Sequence, residues 1–282
     1  MSPLSSHFDP DLPYWRDYLP FLESLDGPGF PGCDQLNELL PDNLRSEGGL
    51  GIRFVDSDRL ADEPYEPRIY NTGRVSTRLN NWHDLFNALV WMRFPGIKTA
   101  MNACHFHAWS DQEGGSRGRK RDALTLFDEC GVIVFSSDED LLQALAERRW
   151  TDAFLREDFH SGTGLAICGH AMLEKYLTPY KAMTAKALLV HTDSRIHRMP
   201  RNNQLKLLDE EIATRLAAGE ILSKPARLSP LPLSGVPGWW PHDEQSEEKF
   251  YADRQVFRQP PARLVPAPVI SIQGDRWASR EP

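Results

Sequence analysis

Six polar residues crowd the first turns of one strongly apolar stretch, Thr77-Arg-Leu-Asn-Asn-Trp-His-Asp-Leu-Phe-Asn-Ala-Leu-Val-Trp-Met-Arg-Phe94. They are Arg78, Asn80, Asn81, His83, Asp84 and Asn87. A helix that only had to pack would not need them. Together they offer proton transfer, hydrogen bonding and charge. His83 and Asp84 form an adjacent His-Asp doublet, a pair that can ligate one divalent ion. Such an ion acts as a Lewis acid and lowers the pKa of bound water. Further ligands would come from His105, His107, His170 and Glu174. The plainer alternative makes Asp84 a helix cap and His83 a surface or backing residue.

Other segments carry candidate chemistry. His170 and Glu174 are four apart, so on a helix they share a face. They do not make the H-E-x-x-H zinc pattern, and a helix-surface hydrogen bond is the simpler use for them. His105 and His107 are two apart. They would share a face on a strand but diverge on a helix, and a helix is the expectation. Arg121-Asp122 and Asp128-Glu129 bracket an apolar run. On a helix Asp122 pairs in direction with Glu129, and Arg121 with Asp128. Paired carboxylates can hold an ion or divide acid and base roles. Arg121 can bind Asp128 or a substrate anion through its planar fork. A buried ion-pair network that fixes the fold is the alternative.

The remaining signals are weaker. Arg117–Arg121 holds four basic residues in five and is expected in a solvated, Gly-rich loop over 110–120. Ser161-Gly-Thr-Gly164 lacks the lysine and spacing of a phosphate-binding loop, and is expected to lead into a helix over 165–177. There is no G-x-S-x-G nucleophile elbow. The cysteines, 33, 104, 130 and 168, are widely spaced and fit small buried apolar residues of a reducing compartment.

The elements that must position these groups follow from pattern. Asn81 is a good N-cap, and Asp84 three residues on can return the capping-box bond. Leu85, Phe86, Leu89, Val90, Met92 and Phe94 make a broad apolar face. Pro95-Gly96 breaks that helix, and a second runs to about His107. Strands are expected over 51–56, 67–73 and 132–135, and 187–192 is expected as a short buried strand or a helix end. Helices are expected over 138–149, from a Ser137 cap, over 151–157, and over 203–218, closed by Gly219. Residues 1–50, rich in Pro and Gly, read as an irregular wrapping segment. Trp239, Trp240, Phe250, Tyr251 and Phe257 read as anchors laid over the core. The expected fold is a helix-rich α+β domain, helices around a small sheet with an irregular aromatic C-terminal wrap. It spans 1–258, followed by a flexible Pro-rich tail over 259–282.

Several blocks resemble a proteobacterial family known only as a domain of unknown function. They are Arg68-Ile-Tyr, Thr77-Arg with Asn81-Trp-His-Asp-Leu-Phe-Asn-Ala-Leu, Phe94-Pro with Lys98, Arg121-Asp-Ala-Leu-Thr-Leu-Phe-Asp-Glu, Gly169-His-Ala with Glu174, and Gly235-Val-Pro-Gly-Trp239 followed by Phe250-Tyr251 and Val256-Phe-Arg258. The resemblance covers about residues 30–258. It implies a shared organisation and no particular reaction.

Composition bounds the rest. The 282 residues carry a net charge of −8, with 40% hydrophobic and 26% charged residues, a soluble globular balance. The charge argues against nucleic acid and acidic membranes as partners. No apolar run approaches the ~20 residues of a membrane span, and the N-terminus lacks a signal-peptide pattern, so a cytoplasmic location is expected. The function expected is a hydrolase-type enzyme acting on a small anionic substrate. His83, Asp84, Asp128, His170 and Glu174 would be its catalytic or ligating groups. Arg78, Asn81, Asn87 and Arg121 would bind substrate. The cofactor is left open, a divalent metal being the one these residue types suggest. The alternative is a non-enzymatic interaction or scaffold protein whose polar motifs are internal networks. Substrate identity and oligomeric state are not specified by the sequence.

Overall fold

The computed structural model describes residues 4–25, 27, 29–110, 115–240, 245 and 247–272. In chain order the first elements are α1 (Leu19–Ser24), α2 (Cys33–Glu38), β1 (Arg53–Asp56), α3 (Tyr65–Thr72) and β2 (Arg74–Thr77). Three longer helices follow: α4 (Trp82–Arg93), α5 (Pro95–Ser110) and α6 (Gly115–Cys130). Then come β3 (Gly131–Ser136), α7 (Glu139–Ala146), α8 (Trp150–Phe154), α9 (Phe159–Gly162) and β4 (Thr163–Ile167). The last are α10 (His170–Lys175), β5 (Thr184–Thr192), α11 (Arg201–Ala217), β6 (Ser229–Pro232) and β7 (Val269–Ile272). The protein is therefore α+β and helix-rich, with a small mixed sheet.

The chain divides into two compact units. The first comprises Met1–Gly131, Ile167–Pro179 and Leu205–Arg227. Its centre is helical: α4 packs against α5 and α10, and α6 against α5 and α10. Asn81 caps α4 as its pattern predicts, accepting from the Asp84 amide at 3.0 Å, and Leu85, Phe86, Leu89 and Val90 are buried. The return bond differs from the expected capping box. The Asp84 carboxylate accepts from the Arg78 amide, at 2.6 Å, and so ties the strand end at β2 to the helix start. β1 and β2 pair in parallel, Arg53 opposite Arg74. Phe94 ends α4 and α5 begins at once. Its first amides, Gly96 and Ile97, donate to the Asp209 carboxylate on α11 at 2.9 and 2.8 Å, as a helix N-terminus favours.

The second unit comprises Val132–Ala166, Tyr180–Gln204 and Leu228–Pro282. The sheet order is β4-β3-β5-β6, with β7 also on β5. β5 is long enough to take two partners in succession. Thr184–Ala187 pairs antiparallel with β6, and Leu189–Thr192 pairs parallel with β7. The helix α7 packs on β5, β6 and β7. Phe250, Tyr251 and Phe257 are buried against one another and Phe154, the aromatic wrap that the Trp-, Phe- and Tyr-rich end suggested.

Five local expectations need correction. Residues 67–73 form most of α3 rather than a strand. Pro67 sits in the first turn, where its missing N–H costs nothing, and Gly73 closes the helix in the left-handed region at φ 70°. Arg68 is buried by donating to the Ala61 and Glu63 carbonyls at 2.8 and 2.6 Å. The stretch 165–177 is strand β4 followed by the short α10, because a buried apolar run reads the same in either form. Ser161–Gly164 is consequently the end of α9 and the start of β4. The Arg117–Arg121 run lies in the first half of α6, not in a loop, while residues 111–114 fall outside the described residues. Asp138 rather than Ser137 caps α7, accepting from the Leu141 amide at 2.9 Å. Finally, the segment expected as a flexible tail contributes β7, and residues 273–282 lie outside those described.

Candidate functional site

One cleft in the first unit, about 440 Å³ in volume, gathers polar groups from α3, β2, α4, α5, α6 and α10. His83 enters from the first turn of α4, His170 from the first residue of α10, and Asp128 and Glu129 from the last turn of α6. Backbone stitching brings α10 to α6. The Cys168 and Gly169 amides both donate to the Gly131 carbonyl, at 3.0 and 2.9 Å. A Cβ on Gly169 would lie 2.3 Å from the Gly131 nitrogen and 2.7 Å from Cys130 backbone. Only glycine allows that approach, which puts His170 beside Glu129.

The imidazoles meet edge to face. His83 Nε2 and His170 Nε2 are 3.0 Å apart. His83 Nδ1 is 2.9 Å from Glu174 Oε2, so the i, i+4 pair of α10 does not close on itself: Glu174 serves His83 instead. His170 Nδ1 lies 3.7 Å from Asp128 Oδ2, and its Nε2 lies 3.7 Å from Glu129 Oε2. His170 is 5% exposed, and burial pushes its pKa down to about 4 although Asp128 opposes this. Burial likewise raises the Glu129 carboxyl above its usual range.

Behind this apex lies a buried polar chain. Lys98 of α5 donates to Asp128 at 2.5 Å and to Asn87 at 2.9 Å. Asn87 donates to the Tyr65 hydroxyl at 2.9 Å. Burial would raise Asp128, but Lys98 and the neighbouring imidazoles outweigh it, and its carboxyl is held below the ordinary value. Glu66 lines the cleft and accepts from Asn102 at 2.6 Å. Burial lifts it to about 7, against the opposing pull of that hydrogen bond. Burial also lowers His105, on the same wall, to about 4.

Of the residues singled out from the sequence, His83, Asp128, His170 and Glu174 converge. Arg78, Asp84 and Asn87 line the same cleft. Asp84 spends its oxygens on Arg78, in a two-pronged pair at 2.8 and 3.0 Å, and Asn87 serves Lys98 and Tyr65. Asn81 caps α4 and is not among the lining residues. Arg121 is exposed on α6 and is not among the lining residues, though its charge lowers both Glu66 and His105. Asp122 points to solvent, apart from Glu129, and Asp128 takes Lys98 as its partner instead of Arg121. His107 turns out of the helix to Glu47 at 2.9 Å. Tyr65, Glu66 and Lys98 were missed as site residues. The strand expectation for 67–73 hid the first two, and a lone lysine on an apolar helix carries no local signal.

A helix-rich α+β protein with a polar cleft built on two imidazoles and flanking carboxylates is thus the class that fold and geometry define. The chain belongs to the family described as Protein of unknown function (DUF3025), whose model matches residues 52–261. No curated protein and no solved structure matches the chain. Among the described residues, no helix is long and apolar enough to cross a membrane.

Proposed function

We propose that the protein is a hydrolase of small, anionic substrates and that water is activated at the His83–His170–Glu129 apex of the cleft. One observation carries this reading: two imidazoles and three carboxylates from three separate helices meet where solvent reaches them. The His83 and Glu174 side chains keep 32% and 41% of their exposure. A network built only to hold the fold would be sealed, as the Lys98–Asp128 pair behind it largely is. This weighs against the interaction-protein alternative.

The roles follow from the bonds. Glu174 accepts the Nδ1 proton of His83, which leaves the Nε2 lone pair at the cleft apex, facing His170 Nε2. That lone pair can take a proton from water or bind an ion that carries the water. Arg78, 58% exposed at the cleft edge, is the lining cation that would meet a substrate anion, with Asp84 holding its fork in place. Glu66 is neutral for part of the time near pH 7 and can give a proton to the leaving oxygen. The balance is that of any hydrolysis. Water oxygen bonds to the substrate phosphorus or carbon, the bond to the leaving oxygen breaks, and the proton lost by water is returned to the leaving group.

The test is turnover of p-nitrophenyl phosphate, bis(p-nitrophenyl) phosphate and p-nitrophenyl acetate, with and without added divalent ions. His83→Ala should lower the rate by about 100-fold or more while leaving the circular dichroism spectrum unchanged. No turnover of any of the three, or turnover indifferent to His83→Ala, sinks the hydrolase reading.

A further inference from the structure

We infer that the cleft apex is a mononuclear site for a borderline divalent transition-metal ion such as Zn²⁺. Its ligands are His83 Nε2, His170 Nε2 and a Glu129 carboxylate oxygen, with Glu174 and Asp128 orienting the two imidazoles. The inference deepens the reading above by naming what activates the water.

The distances carry it. Ligand atoms about 2.1 Å from one ion stand about 3.0 Å apart at a right angle and about 3.7 Å apart near 125°. The His83–His170 nitrogens are 3.0 Å apart and the His170–Glu129 pair 3.7 Å apart. All three donor atoms lie within 4.8 Å of one another. Glu129, 39% exposed, has room to adjust its rotamer and close the third edge.

Proton accounting points the same way. Glu174 accepts only, so it demands the proton of His83 on Nδ1. If His170 also turns an Nδ1 proton toward Asp128, two Nε2 lone pairs face each other at 3.0 Å, and either a shared proton or a metal ion must lie between them. If His170 instead donates from Nε2, its buried Nδ1 is a bare lone pair aimed at a carboxylate, and that nitrogen has no hydrogen-bond partner. A cation between the two Nε2 atoms lets both Nδ1 protons point at carboxylates. That is how metal-bound imidazoles are commonly oriented.

Charge agrees. Arg78 neutralises Asp84 and Lys98 neutralises Asp128, while Glu129 has no Lys or Arg partner among the described residues. A site with two imidazoles and one carboxylate suits zinc and its neighbours in the first transition row better than magnesium or calcium, which prefer all-oxygen shells. Three protein ligands leave a position open for water, as in catalytic zinc sites.

The experiment uses untagged full-length protein, metal analysis by mass spectrometry, and Co²⁺ and Zn²⁺ titration after dialysis against a chelator. One equivalent should bind, and Co²⁺ should give visible d–d bands. His83→Ala and Glu129→Ala should each abolish those bands. Glu174→Gln should weaken binding about 10–100-fold, while His107→Ala, which removes an exposed histidine outside the cleft, should not change it. The inference is overturned if the folded wild type binds neither ion saturably. It is equally overturned if binding survives both His83→Ala and Glu129→Ala, or if imidazole nitrogen NMR of metal-free protein shows one proton shared by the two Nε2 atoms and no change on adding Zn²⁺. Bound metal without hydrolysis of any substrate leaves the site standing and removes the hydrolase reading. Hydrolysis that persists at the full rate in metal-free protein leaves the hydrolase reading standing and overturns the ion's role in activating the water.

Discussion

Lys98 illustrates how tightly single residues are committed in this cleft. It is 4% exposed, and its ammonium is shared between Asp128 and Asn87. Replacing one partner of such a pair strands the other charge in a poorly solvated place. Lys98→Met should therefore destabilise the protein by about 3–5 kcal/mol. The double change Lys98→Met with Asp128→Asn should recover much of that loss, since the uncompensated charge is gone. Urea denaturation of the two single variants and the double variant gives the coupling directly. Simple additivity would mean that the pair does not act as a unit.

Asp209 permits a pH prediction away from the site. Burial raises its pKa to about 6, against the lowering effect of the Ile97 and Gly96 amides. The folded state thus holds this proton more tightly than the unfolded chain does. The stabilisation is fully present below the ordinary aspartate value and is lost as pH rises through about 6. Lowering the pH from about 7.5 to about 4.5 should favour the wild type over Asp209→Asn by about 2 kcal/mol. The difference in unfolding free energy between the two, measured across that range, checks it. A flat difference would contradict the burial argument.

At the scale of elements, the site depends on helix starts and on one close backbone approach. Leu89 on α4 is fully buried, so Leu89→Ala should cost about 2–5 kcal/mol as measured by denaturant unfolding. Gly169→Ala is the more telling change. Its Cβ would meet backbone at Gly131 and Cys130, which cannot swing aside as a side chain can. The start of α10 must move, and His170 moves with it relative to Glu129. The expected outcome is a folded but less stable protein that has lost metal binding. Wild-type affinity in Gly169→Ala would show that the approach is not needed.

At the scale of the molecule, β7 changes what the C-terminal segment means. It pairs with Leu189–Thr192 of β5, and Ile272 is buried. Deleting residues 264–282 would open the edge of that half of β5 and expose apolar surface. A fall in Tm of about 5 °C or more is expected, on the order of 2 kcal/mol for a chain of this length. An unchanged melting curve would show that β7 adds nothing.

Local physics was enough for the long amphipathic helices. The Asn81 cap, the apolar face of Leu85, Phe86 and Leu89, and the Pro95-Gly96 break define α4 and α5 through contacts within a few residues, and those contacts are written in the sequence. The same holds for the end of α11, closed at Gly219 in the left-handed region. Short buried stretches were not legible in that way. Arg68–Gly73 and Leu165–Cys168 are apolar or ambiguous over a few residues, and their form depends on which carbonyls and strands lie beside them. The partners within the cleft were beyond the sequence for the same reason. Glu174 lies 91 positions from His83, and Lys98 lies 30 from Asp128. Which carboxylate meets which cation or imidazole is set by how α4, α5, α6 and α10 pack, and by a glycine that lets two backbones touch. Residue types determined that a polar site would exist; only the tertiary structure decided that its apex is two imidazoles and a glutamate at ion-binding distances.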